Sequence, residues 1–479
     1  MPHLLIVDDE PSITWGLTKL AERIGLSSAA ASSAEDGLRA AVTQRPDAVL
    51  LDVRLPGMTG LDALPKFREL LGAIPVVIIT AYGDLETAVE AIRRGAFEYL
   101  VKPFDLATAE QTIRRALRST EAVEAKPAIA VDDSNPRHDK LIGTSPGFQA
   151  VFKQIALVTP TSACVHLGGE SGTGKELVAR AIHQYSRRAT GPFIPIHVAS
   201  LSEQLVESEL FGHVRGAFTG AESHRQGLLE QGNHGTVFLD EVAEIPPAIQ
   251  VKLLRALEQG EIWPVGADRP HAADFRLISA THRDLKAEVA SGRFRQDLYY
   301  RLVTFQIDLP PLRDRPDDIT ELAKYFLDRL AAKNQLPQLA MHGDALAELQ
   351  RRPWPGNVRE LKNAIEHAAI LARNGTIEAW HLPVLTESLI TPADQIADVP
   401  AAVKAWAARQ LTTAQEGDEL HAQLLKEIEP ALFAAALKQT HGQVAAAARL
   451  LGLHRTTLKG KLDEYGIRTP SSERGADAP

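Results

Sequence analysis

The sequence predicts a multidomain α/β chain: a doubly wound parallel-sheet domain, then an α/β core with a helical lid, then an all-α domain at the C-terminus. Three observations lead there. Residues 1–118 alternate short apolar strands with helical patterns, residues 141–310 do so again before a helical stretch to 385, and Gly442 and Gly452 break a C-terminal helical region into three. A chain of 479 residues also exceeds what one hydrophobic core organises, and the usual domain size gives about three units.

The composition, 44% hydrophobic and 24% charged, is that of a soluble globular protein, and no apolar run approaches the roughly 20 residues of a membrane span. Met1-Pro2-His3 leads straight into an apolar strand without the features of a secretory signal, so export is not expected. Cys164 is the single cysteine and sits in the apolar stretch 163–167, which excludes an intramolecular disulfide and fits a cytoplasmic location. The net charge of −9 argues against bulk coating of nucleic acid. Residues 431–468 differ, with six Lys or Arg against Asp463 and Glu464, so DNA contact is expected there.

In the first domain strands are expected at 4–7, 28–31, 49–51, 76–79 and 99–101. Function in an open parallel sheet collects beyond the carboxyl ends of the strands, and Asp8, Asp9, Asp52, Thr80 and Lys102 lie at those ends. Three carboxylates at one sheet edge repel one another unless a hard cation such as Mg²⁺ neutralises them. The plainer alternative is that such residues only cap strand-to-helix turns. With Lys102-Pro103-Phe104 and the run from Asp52 to Gly57, residues 3–118 resemble the receiver domain of two-component response regulators, a flavodoxin-like fold. The resemblance implies that Asp52 accepts a phosphoryl group and that Asp8 and Asp9 hold Mg²⁺ with the Arg54 backbone carbonyl. It also implies that Thr80 and Lys102 contact phosphoryl oxygens and that Tyr99 is an aromatic switch.

A polar, proline-bearing stretch at 119–139 reads as a linker. Beyond it, Gly169-Glu170-Ser171-Gly172-Thr173-Gly174-Lys175 follows an apolar strand and fits the phosphate-binding loop. Glycines let consecutive N–H groups converge on phosphate oxygens, the next helix offers its N-terminus, and Lys175 adds charge near the β and γ phosphates, so ATP is the expected nucleotide. Glu176 stands where Ser or Thr is usual, leaving Mg²⁺ to be held by water, phosphates and a second acidic motif. That motif is Asp240-Glu241, at the end of the apolar strand 236–239. Asp240 can reach the metal shell and Glu241 can polarise the attacking water, although acids here could also simply cap a helix.

The order of further motifs across 140–385 resembles the AAA+ domain of the NtrC family of sigma-54 activators. By that resemblance the loop Gly216-Ala217-Phe218-Thr219-Gly220-Ala221 contacts sigma-54, and Arg295 and Arg301 reach a neighbouring subunit's nucleotide. An ordinary helical salt-bridge face is the alternative for the two arginines. Thr281 and His282 match the first sensor and Arg359 the second. His197 departs from the Asn that restrains the catalytic glutamate in many members, although imidazole can still hydrogen-bond a carboxylate.

A second Ala-, Thr-, Asp- and Pro-rich stretch at 386–416 reads as a linker, and 470–479 as a flexible tail. Within 417–469, helices are expected at 430–440, 443–451 and 454–464, the last two forming a helix-turn-helix with His454, Arg455, Thr456, Thr457, Lys459 and Lys461 projecting toward DNA. A small bundle that only dimerises is the alternative. The segment resembles the Fis-type domain that ends NtrC-family proteins, and its motifs look most like the nitrogen regulators. Taken together, the resemblances imply an ATPase phosphorylated by a sensor histidine kinase, bound to enhancer DNA and acting on sigma-54 RNA polymerase, dimeric at rest and hexameric or heptameric when active. A DNA-binding regulator with a vestigial ATPase, and an AAA+ remodeller of another target, are the rival readings.

Overall fold

Two five-stranded parallel sheets organise the first 383 residues. The computed structural model describes residues 1–118, 140–383 and 419–467, apart from 82, 203, 204, 219, 220, 222, 335–338, 374 and 441, together with 403, 406, 407 and 410. Most of both linkers and the tail therefore lie outside the described residues.

The first sheet and its helices run β1 (His3–Val7), α1 (Pro11–Arg23), β2 (Ser27–Ala31), α2 (Ala34–Thr43), β3 (Ala48–Asp52), α3 (Gly60–Leu71), β4 (Val76–Thr80), α4 (Leu85–Arg93), β5 (Glu98–Val101) and α5 (Leu106–Arg118). The order is β2-β1-β3-β4-β5. The three central strands are buried along their whole length, as their unbroken apolar runs require of a sheet covered on both faces. The small, half-buried residues of β2 suit an edge. Ser33, Thr59 and Asp84 start α2, α3 and α4 by accepting backbone N–H groups. Gly60 is needed where α3 begins, because a Cβ there would lie 1.9 Å from the Asp52 carbonyl oxygen.

The second sheet and its surroundings run α6 (Pro146–Val158), β6 (Val165–Gly168), α7 (Lys175–Gln184), β7 (Phe193–His197), α8 (Val206–Phe211), β8 (Gly212–His213), β9 (Arg225–Gln226), α9 (Leu228–Gln231), β10 (Thr236–Asp240), α10 (Pro247–Gln259), β11 (Glu261–Ile262), β12 (His271–Ala272), β13 (Arg276–Thr281), α11 (Leu285–Ala290), α12 (Gln296–Leu302) and β14 (Phe305–Asp308). Its order is β14-β6-β13-β10-β7, which brings β6 and β10, the strands before the two expected nucleotide motifs, to either side of β13. The lid follows as α13 (Pro316–Asn334), α14 (Gly343–Arg351) and α15 (Asn357–Ala372), closed around Trp354, Leu361 and Ile365.

A second compact unit, residues 384–479, contains α16 (Leu420–Gln439), α17 (Val444–Leu450) and α18 (Arg455–Glu464) around Phe433, Ala447, Leu458 and Leu462. Its first helix starts ten residues before the expected 430. Proline reads in sequence as a first-turn residue, yet Pro430 lies inside α16. The helix is anchored right there, since Glu429 meets both Lys461 and Tyr465 of the next segments.

Candidate functional sites: an acidic pocket and a phosphate loop

Parallel register sets the carboxyl ends of β1, β3 and β4 side by side, and Asp8, Asp52 and Thr80 are all nearly completely buried there. The Lys102 ammonium lies 2.9 Å from Asp8 Oδ2, 2.8 Å from Asp52 Oδ2 and 2.7 Å from Glu10 Oε1. Burial works to lower the Lys102 pKa, but hydrogen bonds to Asp52, Glu10 and Asp8 outweigh it and hold it above the ordinary lysine value. Burial pushes the Asp8 carboxyl up. Asp8, Glu10 and Asp52 bring carboxylate oxygens within 4.8 Å of one another. Asp8 Oδ2 is buried with the Lys102 ammonium 2.9 Å away, and the all-oxygen donor set of Asp8, Glu10 and Asp52 fits a hard cation. Asp9, expected among the ligands, is exposed and outside this cluster, whereas Glu10 joins it. No local pattern marked Glu10: the backbone bends at Asp9, and Lys102, just beyond β5, pairs with the Glu10 carboxylate beside Asp8 and Asp52. The Arg54 amide donates to Asp52 Oδ1 at 3.3 Å.

Tyr99 faces the second sheet's surroundings instead of this pocket. Its hydroxyl donates to the Gln149 carbonyl of α6 at 3.1 Å, and Gln149 Nε2 donates to the Gly83 carbonyl at 2.6 Å. Leu85 and Val89 of α4 pack into the same apolar cluster as Phe148, Val151 and Phe152 of α6. Glu98, at the start of β5, meets both Arg115 and Lys153. The α4–β5 face is thus bound to the first helix of the second domain.

The phosphate loop leaves β6 through Gly169, Gly172 and Gly174, all at positive φ. Lys175 Nζ donates to the Gly169 and Glu170 carbonyls at 2.7 and 3.1 Å, and burial lowers its pKa. Thr173 Oγ1 donates to the Glu170 carbonyl at 2.8 Å, and Arg359 reaches Ser171 Oγ at 3.1 Å. Glu176 pairs with Arg180 along α7. Across the sheet Asp240 ends β10 between His197 and Ala280 in register. Glu241 follows in a left-handed backbone conformation, φ 56°. Its Oε2 accepts Thr281 Oγ1 at 3.0 Å and the His282 amide at 3.3 Å, and lies 2.8 Å from His282 Nδ1. Burial tends to raise the Glu241 pKa, but the contacts from His282 and Thr281 leave it lowered. His197 contacts Asp240, not Glu241, with Nδ1 3.1 Å from Oδ2, because the β7–β10 register places it beside the aspartate.

Arg295 is held by Asp297 at 2.6 Å and Arg301 by the Leu257 carbonyl at 2.7 Å. In the expected sigma-54 loop the Gly216 amide donates to the Ala221 carbonyl, closing a neck at 2.9 Å, and Phe218 rests edge-on against His213. Thr219 and Gly220 lie outside the described residues. In the second unit His454, Arg455, Thr456, Thr457 and Lys459 are exposed at the start of α18, whereas Lys461 is turned inward to Glu429. Sequence reasoning missed Asn357 and Arg313, both of which hold the phosphate loop.

A receiver-type acidic pocket, an ATPase core with its lid and a helix-turn-helix define a response regulator that drives transcription by ATP hydrolysis. Residues 4–114 match the response regulator receiver domain, 141–308 the sigma-54 interaction domain, 313–393 the AAA+ ATPase lid domain and 424–465 the bacterial regulatory protein, Fis family. The chain belongs to the NtrC family of sigma-54-dependent response regulators. It is 42% identical to the transcriptional regulatory protein ZraR of Escherichia coli K12 over 96% of this chain and 98% of that one, and 41% identical to the DNA-binding transcriptional regulator NtrC of Klebsiella pneumoniae over the same shares. The crystal structure of NtrX from Brucella abortus in complex with ATP matches at TM-score 0.50 and 30% identity, covering 97% of this chain and 99% of that one. Among the described residues no helix is long and apolar enough to cross a membrane.

Proposed function

We propose that phosphorylation of Asp52 by a sensor histidine kinase releases the α4–β5 face from α6, allowing subunits to assemble into a ring whose ATP hydrolysis remodels sigma-54 polymerase at a promoter. The observation that carries this reading is the seam itself, in which Tyr99 and Gly83 at the signalling end of the first sheet are hydrogen-bonded to Gln149 at the start of the ATPase domain. A carboxylate oxygen of Asp52 forms the new bond to phosphorus as the donor's bond breaks, and Lys102 balances the added charge. Asp8 and Asp52, with Glu10 or Asp9, would hold Mg²⁺, which would supply charge neutralisation there, and Asp240 would be its ligand in the ATPase site. Glu241 orients the attacking water, while Arg295 and Arg301 serve the neighbouring subunit. Loop 216–221 contacts sigma-54, and α18 addresses enhancer DNA with Arg455 and Thr456 at base edges. The boundaries 1–118, 140–385 and 417–469 belong to this reading, as do a resting dimer, a hexameric or heptameric active form and a cytoplasmic site of action. Nitrogen assimilation fits the NtrC relatives.

The test combines acyl-phosphate labelling, particle size and phosphate release on the full chain. Labelled acetyl phosphate should mark the wild type and not Asp52→Asn. Val89→Asp, which places a charge in the seam, should raise assembly and hydrolysis of unphosphorylated protein toward the phosphorylated level. Undiminished labelling of Asp52→Asn would remove the assigned acceptor, and a Val89→Asp protein with lowered assembly would show that the seam promotes rather than restrains the ring. Thr219→Lys separates sigma-54 from another target: hydrolysis should persist while transcription from a sigma-54 promoter is lost.

A further inference from the structure

The lid grips the phosphate loop through residues outside every motif discussed so far. Asn357, the first residue of α15, is completely buried and holds a left-handed backbone, φ 51°. Asparagine is among the few non-glycine residues that adopt that conformation readily. Its Oδ1 accepts the Leu312 amide at 2.8 Å, while its Nδ2 donates to the Ser171 carbonyl at 3.0 Å and to Glu170 Oε2 at 3.1 Å. Arg313 clamps the same carboxylate with both terminal nitrogens, at 2.7 and 2.9 Å, and holds the Glu170 carboxyl below the usual range. One residue further along, the Val358 amide donates to the Gly172 carbonyl at 3.0 Å. A Cβ on Gly172 would lie 2.3 Å from the Gly356 carbonyl oxygen, so lid and loop meet backbone to backbone.

These contacts decide which way the loop's donors face. In a trans peptide the C=O and N–H point in opposite directions. With the Ser171 and Gly172 carbonyls tied to the lid, the Gly172 and Thr173 N–H groups are turned away from it, as a phosphate cradle requires. A loop with three glycines at positive φ has little side-chain packing to hold that orientation by itself.

We infer that Asn357, Arg313 and Glu170 form a latch by which the lid presets the phosphate loop for nucleotide, acting as positioning residues. The inference rests on reading the loop as the ATP site. Because the latch orients donors that serve ground state and transition state alike, its loss raises KM and leaves kcat nearly unchanged.

The experiment uses the full chain, with binding of a fluorescent ADP analogue measured beside steady-state ATP hydrolysis. Arg313 and Glu170 are 46% and 42% exposed in their side chains, so their variants test the latch without opening the core. Arg313→Ala and Glu170→Ala should each raise Kd and KM about tenfold with kcat within about threefold, and the double variant should be no worse than either. Asn357→Asp should be weaker still, since it sets a carboxylate against Glu170. Adding Glu170→Gln to it should restore affinity, the amide introduced at 170 donating to the carboxylate introduced at 357. A fall in kcat and melting temperature at unchanged KM, or additive losses without rescue, would overturn the latch. If the wild type binds no analogue, the reading of the loop as a nucleotide site falls and takes the latch with it. Wild-type binding with unchanged variants overturns the latch alone.

Discussion

Glu241 is the residue on which the ATPase reading turns, and its surroundings suit a base held ready. Its strained backbone and three contacts on one oxygen fix the direction of the carboxylate, and those contacts keep it ionised. Replacing it with Gln should preserve nucleotide binding and lower kcat by roughly 10²- to 10⁴-fold, read by phosphate release beside analogue binding. His282→Ala should cost about tenfold in kcat through lost orientation, whereas His197→Ala, acting at Asp240, should move the Mg²⁺ dependence instead. Equal effects of the two histidines on kcat alone would contradict this division. The acids themselves were legible, as an apolar strand ending in two carboxylates. Their partners were not, because which histidine meets which acid depends on the register of strands about 40 residues apart.

At the scale of single elements, two buried histidines make the ATPase core sensitive to acid. His166 of β6 and His183 of α7 meet Ser279 and Thr236, and burial lowers each pKa to about 4. The unfolded chain titrates near 6.5, so between those values it binds more protons than the folded one and stability falls as pH drops. Each histidine should cost about 1–2 kcal/mol between pH 7 and pH 5, and His166→Gln should flatten the melting-temperature profile over that range. An unchanged profile would show that the imidazole does not stay neutral. In the helix-turn-helix, Arg455→Ala should weaken specific DNA binding by roughly 1–3 kcal/mol. Lys461→Ala should instead lower the melting temperature of residues 417–479, because that lysine is engaged with Glu429 of α16. Equal loss on specific and random DNA for Arg455→Ala would refute base reading.

For the whole molecule the question is whether the proposed ring completes each nucleotide site across a subunit boundary. Arg295 and Arg301 are bound to Asp297 and the Leu257 carbonyl, away from this subunit's phosphate loop, which suits a role across a subunit boundary. Mixing Arg295→Ala or Arg301→Ala with Lys175→Ala subunits should give partial rescue of hydrolysis, wherever an intact arginine faces an intact nucleotide site. Verified rings with no rescue at any ratio would contradict the trans role.

By itself the sequence determined the fold class of each part, both sheets, the glycine-rich loop after β6, the acids at the strand ends and the C-terminal helix-turn-helix. Those features are local: an apolar run, a turn rich in glycine, a carboxylate at a strand's end. Only the tertiary structure decided that Glu10 stands with Asp8 and Asp52 while Asp9 is exposed, and that α16 runs through Pro430. It also decided that Tyr99 meets Gln149 and that Asn357 holds Ser171. Each of those joins residues through packing between elements or an anchor far along the chain, which local pattern does not encode.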